Sequence, residues 1–221
     1  MDQSIGDMAA QTTRERLIEI GLKRIHKIGY AATGVTEILD LAGVPKGSFY
    51  HYFRSKEAFA QEVLQRHASR EAQRLETIFG EDKLPPLKRL RKYFDELVSV
   101  YGQKGPIRGC LLGNMSVEVA ERSPAIQSLL SSAFGSWQQS IAGLLRSAVD
   151  RGDLPRSTKA DELASFLLNS YEGALVRSKA EKCDQPLDTF IYFAFKVLLK
   201  KSRLTLPPSG RMIERGHLTK G

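Results

Sequence analysis

The sequence predicts an all-α protein. It should consist of a three-helix N-terminal helix-turn-helix domain followed by a larger helical C-terminal domain. Three observations predict this. Apolar residues recur at three- and four-residue spacing through most of the chain. No stretch shows the alternating pattern of a half-buried strand, and no internal repeat appears. Helix-start residues (Thr12, Thr33, Ser55) and helix-stop residues (Gly29, Gly43, Gly80) punctuate the periodic segments.

Residues 1–11 read as a mobile arm. Thr12-Thr13-Arg14-Glu15 fits a capping box, with Thr12 as N-cap and Glu15 three residues on. Leu17, Ile18, Gly21, Ile25 and Ile28 mark one face of the first helix, which stops near Gly29. Thr33 can cap the second helix, whose inner face is Val35, Ile38, Leu39 and Ala42. Gly43-Val44 makes the turn, and Pro45 suits the first position of the third helix, where its missing N–H is no loss. Phe49 and Phe53 lie one turn apart and should be buried. Ser55 caps a fourth helix that runs to about Phe79, and Gly80 to Pro86 reads as a boundary loop.

Beyond the loop, a helix from about Leu87 to Tyr101 carries Leu90, Phe94, Leu97 and Tyr101 on one face. A Gly-rich interruption runs from Gly102 to Gly109. A short helix spans roughly Cys110 to Ala120, and a long one runs from Pro124 to about Val149, ended by Gly152 and Pro155. The last two helices cover about Lys159–Lys182 and Pro186–Lys201. In the final one Leu187, Phe190, Ile191, Ala194, Phe195 and Leu198 form a wide apolar face. The domain boundaries expected are therefore 12–54 and 55–201, with the fourth helix as connector and 202–221 as a flexible basic tail.

At 221 residues and 42% hydrophobic, the chain can bury a sizeable core. No apolar run is long enough to span a bilayer, and no secretory signal is visible, so cytoplasmic residence without a membrane partner is expected. Two cysteines, Cys110 and Cys183, make no disulfide framework. The net charge of +8 is a weak argument for nucleic acid. Residues 1–60 carry eight basic against seven acidic side chains, whereas the segment from Lys200 onward carries six against one. The case for DNA rests on the motif. Lys46 and Tyr50 share a face with long polar reach, Gly47 permits close approach, and Ser48 and His51 add hydrogen bonds. Lys56, in the first turn of the fourth helix, becomes favourable once a phosphate docks there.

Residues 12–60 resemble the N-terminal domain of the TetR family of transcriptional repressors. The resemblance rests on Gly29-Tyr30, Thr33, Ile38, Ala42-Gly43-Val44, Lys46 through Phe53, and Ser55-Lys56-Glu57. It implies that Thr33, Tyr50, His51 and Lys56 contact the DNA backbone, while Thr36, Lys46, Gly47 and Ser48 lie nearest base edges. Pro45 departs from the pattern, since many members carry a capping Ser or Thr there. The resemblance further implies a C-terminal domain that dimerises and holds a small-molecule effector. The last two helices would form a four-helix bundle with their copies, through Leu163, Leu167 and Ala174 on one and Phe190, Ile191, Ala194 and Leu198 on the other. The alternative is that Phe190 and Phe195 pack only within the monomer. A two-fold dimer would set two recognition helices about 34 Å apart, or a multiple of that, on a near-palindromic operator. The implied function is repression relieved by an effector, with a hinge near the fourth helix.

Arg108-Gly109-Cys110 precedes a helix start, and both the basic residue and the helix end favour a thiolate. The competing reading is a small buried hydrophobe. The Gly109-Cys110-Leu111 element resembles the NemR-like branch of the family, named for the repressor of N-ethylmaleimide reductase. Its members respond to electrophiles or chlorine oxidants through the matching Cys, and a Lys matches Lys179, whose ammonium would lower the thiol pKa further. The rival is a noncovalent pocket lined by Phe94, Leu97, Tyr101, Met115, Val119, Phe134, Trp137 and Tyr171, with a structural Cys110. His67 and Glu71 are one turn apart, but no third ligand has suitable spacing, so no metal is expected. With no Gly-rich phosphate loop after a strand, neither a cofactor nor an enzyme is expected. A non-specific DNA-coating protein is a further alternative, distinguished by binding that ignores operator sequence.

Overall fold

A computed structural model describes residues 3–101 and 108–200, with side chains described over 12–100 and 108–200. Tyr101's side chain and the basic tail lie outside these residues. Among the described residues all regular structure is helical.

The helix α1 (Gln3–Ile28) starts upstream of the Thr12 cap suggested by the sequence. Met8, Ala9, Ala10 and Gln11 are good helix formers with no proline to interrupt them, so residues 3–11 continue the helix instead of forming an arm. Next come α2 (Val35–Ala42), a 3₁₀ turn (Lys46–Ser48) and α3 (Phe49–Tyr52). Gly43 ends α2 at φ +63°, a left-handed conformation that glycine adopts without strain, and Val44 N–H closes the cap on the Leu39 carbonyl at 3.0 Å. Pro45 sits one place earlier than expected, as the N-cap of the 3₁₀ turn.

The connector α4 (Lys56–Phe79) is capped by Ser55, whose hydroxyl accepts from Ala58 N–H at 3.0 Å. Leu17, Ile25, Ile38, Leu39, Phe49, Phe53, Phe59 and Val63 close the N-terminal core. Gly21 is required there, because a Cβ would lie 2.2 Å from the Phe59 ring, so α1 and α4 meet without a side chain between them.

The rest comprises α5 (Pro86–Tyr101), α6 (Leu111–Val119), α7 (Pro124–Asp150), α8 (Ala160–Glu181) and α9 (Gln185–Tyr192), the last continuing as a π-helical stretch over Phe193–Leu198. An aromatic chain binds α5, α7, α8 and α9 to one another and to α4. Tyr93 packs on Phe79 at 5.2 Å and on Trp137 at 6.5 Å, and Phe94 packs on Tyr171 at 5.6 Å and on Phe190 at 5.0 Å. The buried Tyr93 hydroxyl donates to Glu71 at 2.5 Å, which ties α5 to α4.

Candidate DNA-reading face and sensor cavity

The reading face is set by where Phe49 points. Its ring is fully buried and packs on Phe53 at 5.3 Å and on Phe59 at 5.5 Å. That anchoring turns Lys46, Gly47, Tyr50 and His51 outward, with Ser48 half-buried beside them and Thr36 exposed on α2. Tyr50 is 71% exposed, unusual for an aromatic side chain on a packed domain. A Cβ on Gly47 would meet no atom within 4 Å. Nothing inside the molecule demands a glycine there.

One of the expected DNA contacts is placed differently, and a second is in place. Thr33 is wholly buried, and its hydroxyl donates to the Gly29 carbonyl at 2.6 Å. It braces the turn after α1 and does not present its side chain to a phosphate. Nor does it cap α2, whose N-cap is Gly34. Lys56 does stand at the start of α4, half-buried, with Nζ donating to the Ala31 carbonyl at 3.2 Å and lying 4.6 Å above the Tyr30 ring. Burial lowers its pKa. Two ammonium hydrogens remain for an incoming anion.

The reading domain is latched to α6. Glu118 accepts from the N–H groups of Tyr30 at 2.8 Å and Ala31 at 2.6 Å, both in the turn after α1. At the other end of α6, His26 Nε2 donates to the Gly109 carbonyl at 2.7 Å. Ser123, just beyond α6, donates its hydroxyl to Glu57 in the first turn of α4. These contacts join residues far apart in sequence, and periodicity does not reveal them.

Cys110 is the N-cap of α6 and only 8% exposed. The expectation of a lowered thiol pKa is overturned. Burial and the nearby Glu172 carboxylate raise it well above the usual thiol value, outweighing the hydrogen bonds from the Gly113 and Leu112 amides that pull it down. Lys179 does not act on the sulfur as expected. Its Nζ donates to Asn114 Oδ1 at 3.3 Å, while Asn114 Nδ2 donates to the Arg108 carbonyl at 2.9 Å. Glu172, on α8, is hydrogen-bonded to the Cys110 thiol, and burial pushes its pKa up to about 7. Cys110, Glu172, Asn114, Lys179 and His26 line a cavity of about 770 Å³. Sequence reasoning missed Glu172. Its four-residue spacing from the buried Leu168 was the available signal, since it sets the carboxylate near the inward face of α8. Cys183 is exposed beyond α8, and both cysteines are free thiols.

The expected pocket residues do not line one pocket. Phe94, Leu97, Met115, Val119 and Tyr171 are buried among the core side chains. Phe134 lines the Cys110 cavity. Trp137 lines a separate cavity of about 710 Å³ between α4 and α7, along with His67, Glu71 and Leu112. Burial drives the His67 pKa down to about 4, helped by the positive charge of His26, Arg74 and Arg70.

The expected dimer face is also redistributed. Leu167, Phe190 and Ala194 are buried within the chain, Leu163, Ala174 and Ile191 are half-buried, and Phe190 and Phe195 pack on Phe94. The π-helical turn rotates different residues outward. Leu198 stays exposed, joined by Phe166, Phe193 and Val197, which sequence periodicity did not pick out. Together they border an apolar groove between α8 and α9.

Among the described residues no group of three or more His, Cys, Asp and Glu side chains could hold a metal, and no helix is long and apolar enough to cross a membrane. Residues 17–63 match the family of bacterial regulatory proteins of the tetR type, and residues 86–193 match the tetracyclin repressor-like C-terminal domain. The chain is 34% identical to the HTH-type transcriptional repressor DhaR of Mycobacterium sp. strain GP1, over 87% of this chain and 95% of that protein. It is 35% identical to the transcriptional regulator AcuR of Cereibacter sphaeroides, over 82% and 83%. The reduced form of Escherichia coli NemR superposes with a TM-score of 0.76 at 30% identity, covering 84% of this chain and 97% of that one. Each of these relatives is named as a regulator or repressor, or is the structure of one, and none is named as an enzyme.

Proposed function

Because the chain belongs to the tetR family of bacterial regulatory proteins, we propose that it is a homodimeric repressor that leaves a near-palindromic operator when a small effector reaches the cavity beside Cys110. Lys46, Gly47, Ser48 and Thr36 read base edges, and Tyr50, His51 and Lys56 hold the backbone. The observation that carries this reading is Gly47. It is spared a side chain that no internal neighbour would obstruct, on a turn flanked by exposed Lys46 and Tyr50. A groove wall approaching from outside accounts for it.

The partner copy docks on Phe166, Phe193, Val197 and Leu198, with the half-buried Leu163, Ala174 and Ile191 alongside. The effector is an electrophile or oxidant that reacts at Cys110, and Lys179 stands in the same cavity wall. A noncovalent effector is favoured by one observation, the separate cavity of about 710 Å³ that touches both α4 and α7. Relief of repression by 100-fold needs a coupling of about 2.7 kcal/mol. Removing the latch bonds of Glu118 and His26 would supply that amount.

The test is a gel shift on DNA upstream of the chain's own gene, with and without N-ethylmaleimide. Wild type should hold the operator at least ~10³-fold tighter than random DNA. It should release the operator on treatment, while Cys110→Ser should stay bound. Equal release of both proteins would move the effector away from Cys110. Equal affinity for any DNA would overturn the repressor reading.

A further inference from the structure

Glu172 serves neither as a salt-bridge partner nor as a helix cap. Its Oε1 is buried and accepts no hydrogen bond. Its carboxylate is held against the Cys110 side chain by the lack of a side chain on Gly113. A Cβ there would lie 2.7 Å from Glu172 Oε2 and 3.7 Å from Cys110 Cβ. Lys179 stands on the same wall, its stem 3.5 Å from where a Gly109 Cβ would be and its Nζ on Asn114. A nucleophile, a proton acceptor and a cationic donor therefore converge on one cavity of about 770 Å³.

We propose that Glu172 is the proton acceptor that lets the buried Cys110 thiol add to α,β-unsaturated carbonyl compounds, with Lys179 receiving the developing enolate oxygen. The inference rests on the reading that the effector reacts at Cys110, and deepens it by naming the group that takes the thiol proton. The S–H bond breaks and its proton passes to the Glu172 carboxylate. The sulfur electron pair forms the S–C bond at the β-carbon, and the C=C π pair moves onto the carbonyl as an enolate facing Lys179 Nζ. The proton then returns from Glu172 to the α-carbon. Nothing is oxidised or reduced, and no co-reactant is needed.

Such a mechanism suits this thiol. Its burial keeps it protonated at neutral pH, so reaction cannot rely on a standing thiolate. A carboxyl titrating at about 7 is matched to proton transfer at that pH. The other charged groups around the cavity are His26 and Lys27 on α1, Glu118 on α6, Arg108 just before it and Lys179 on α8. Only Glu172 is hydrogen-bonded to the sulfur among them.

The experiment uses the full chain with Cys183→Ser, so that Cys110 is the sole thiol, and N-ethylmaleimide as probe. Labelling rates are followed by peptide mass spectrometry from about pH 5.5 to about pH 9. The Cys110 rate should rise through about pH 7 and then level. Adding Glu172→Gln should remove that step and slow labelling at pH 7.5 by about tenfold or more. Gly113→Ala, which displaces the carboxylate while leaving it in the chain, should reproduce the loss. Lys179→Met should slow labelling at every pH without moving the step. If Glu172→Gln and Gly113→Ala both label as fast as the parent with the same profile, the proton-acceptor role is overturned. If Cys110 labels only in urea and never in the folded protein, the covalent reading of the effector fails instead.

Discussion

At Thr33 a side chain with hydroxyl chemistry suited to a phosphate turns inward and closes the turn after α1. Thr33→Val keeps the shape but leaves the Gly29 carbonyl without its donor, so it should cost about 1–3 kcal/mol in urea unfolding. Operator specificity should be unchanged once the protein is folded. Tyr50→Ala should do the reverse, lowering operator affinity with a stability change within about 0.5 kcal/mol, because the side chain is mostly exposed. His67 carries a pH prediction. Its folded pKa of about 4 lies below the ordinary value of 6.5, so between those values the unfolded chain binds a proton that the folded one refuses. Its contribution to stability is full above about pH 6.5 and declines as pH falls towards 4, by up to about 3 kcal/mol. Glu172 works in the opposite direction over nearly the same window, because its raised pKa favours the folded state on acidification. The clean measurement is therefore the difference between His67→Gln and wild type in urea midpoint at pH 7 and pH 5. The variant should lose less stability over that step. An identical loss in both proteins would show that His67 does not titrate as its burial demands.

At the scale of elements, the turn that builds the reading face was legible because its causes are local. Gly43 ends α2, Pro45 opens the next turn, and Phe49 and Phe53 share a buried face by spacing alone. The α4 cap at Ser55 and the bounds of α7 and α8 were legible for the same reason. What sequence could not reveal lies where distant segments meet. The environment of Cys110 is decided by Glu172 on another helix, which reverses the direction of the thiol pKa expected from its own helix end. The latch between α6 and the reading domain depends on Glu118 reaching Tyr30 and Ala31 across 88 and 87 residues. That latch gives α6 a direct hold on the reading domain, beside the path through α4. Glu118→Gln loses the carboxylate's charge and one of its two acceptor oxygens. It should keep the dimer intact but reduce the ratio of operator affinities without and with effector by about tenfold, or about 1.4 kcal/mol of coupling. Fluorescence anisotropy titrations with labelled operator measure that ratio. An unchanged ratio would leave α4 as the sole carrier of the signal.

For the whole molecule, the decisive question is what covers the groove between α8 and α9. Phe166, Phe193, Val197 and Leu198 are each about half exposed there, a density of apolar surface that a monomer in water rarely leaves uncovered. A two-fold axis through this face would pair α8 and α9 with their copies and present two recognition elements to one duplex. Spaced by about 34 Å or a multiple of it, they would engage successive major grooves on one side of the DNA. Bivalent engagement raises affinity by 10²–10⁴ over a single reader without any new contact. Combining Phe166→Asp with Phe193→Asp places a charge on each helix of the groove, so burying the face would require desolvating four carboxylates across the dimer. The double variant should run as a monomer by light scattering at concentrations where wild type should run as a dimer. Circular dichroism should stay helical, since both positions are exposed in the single chain. Operator affinity should fall by at least ~100-fold while weak binding to any DNA survives, because each reading face is still intact. A double variant that remains dimeric, or a monomer that keeps full operator affinity, would break the link between this groove and the reading of a palindrome.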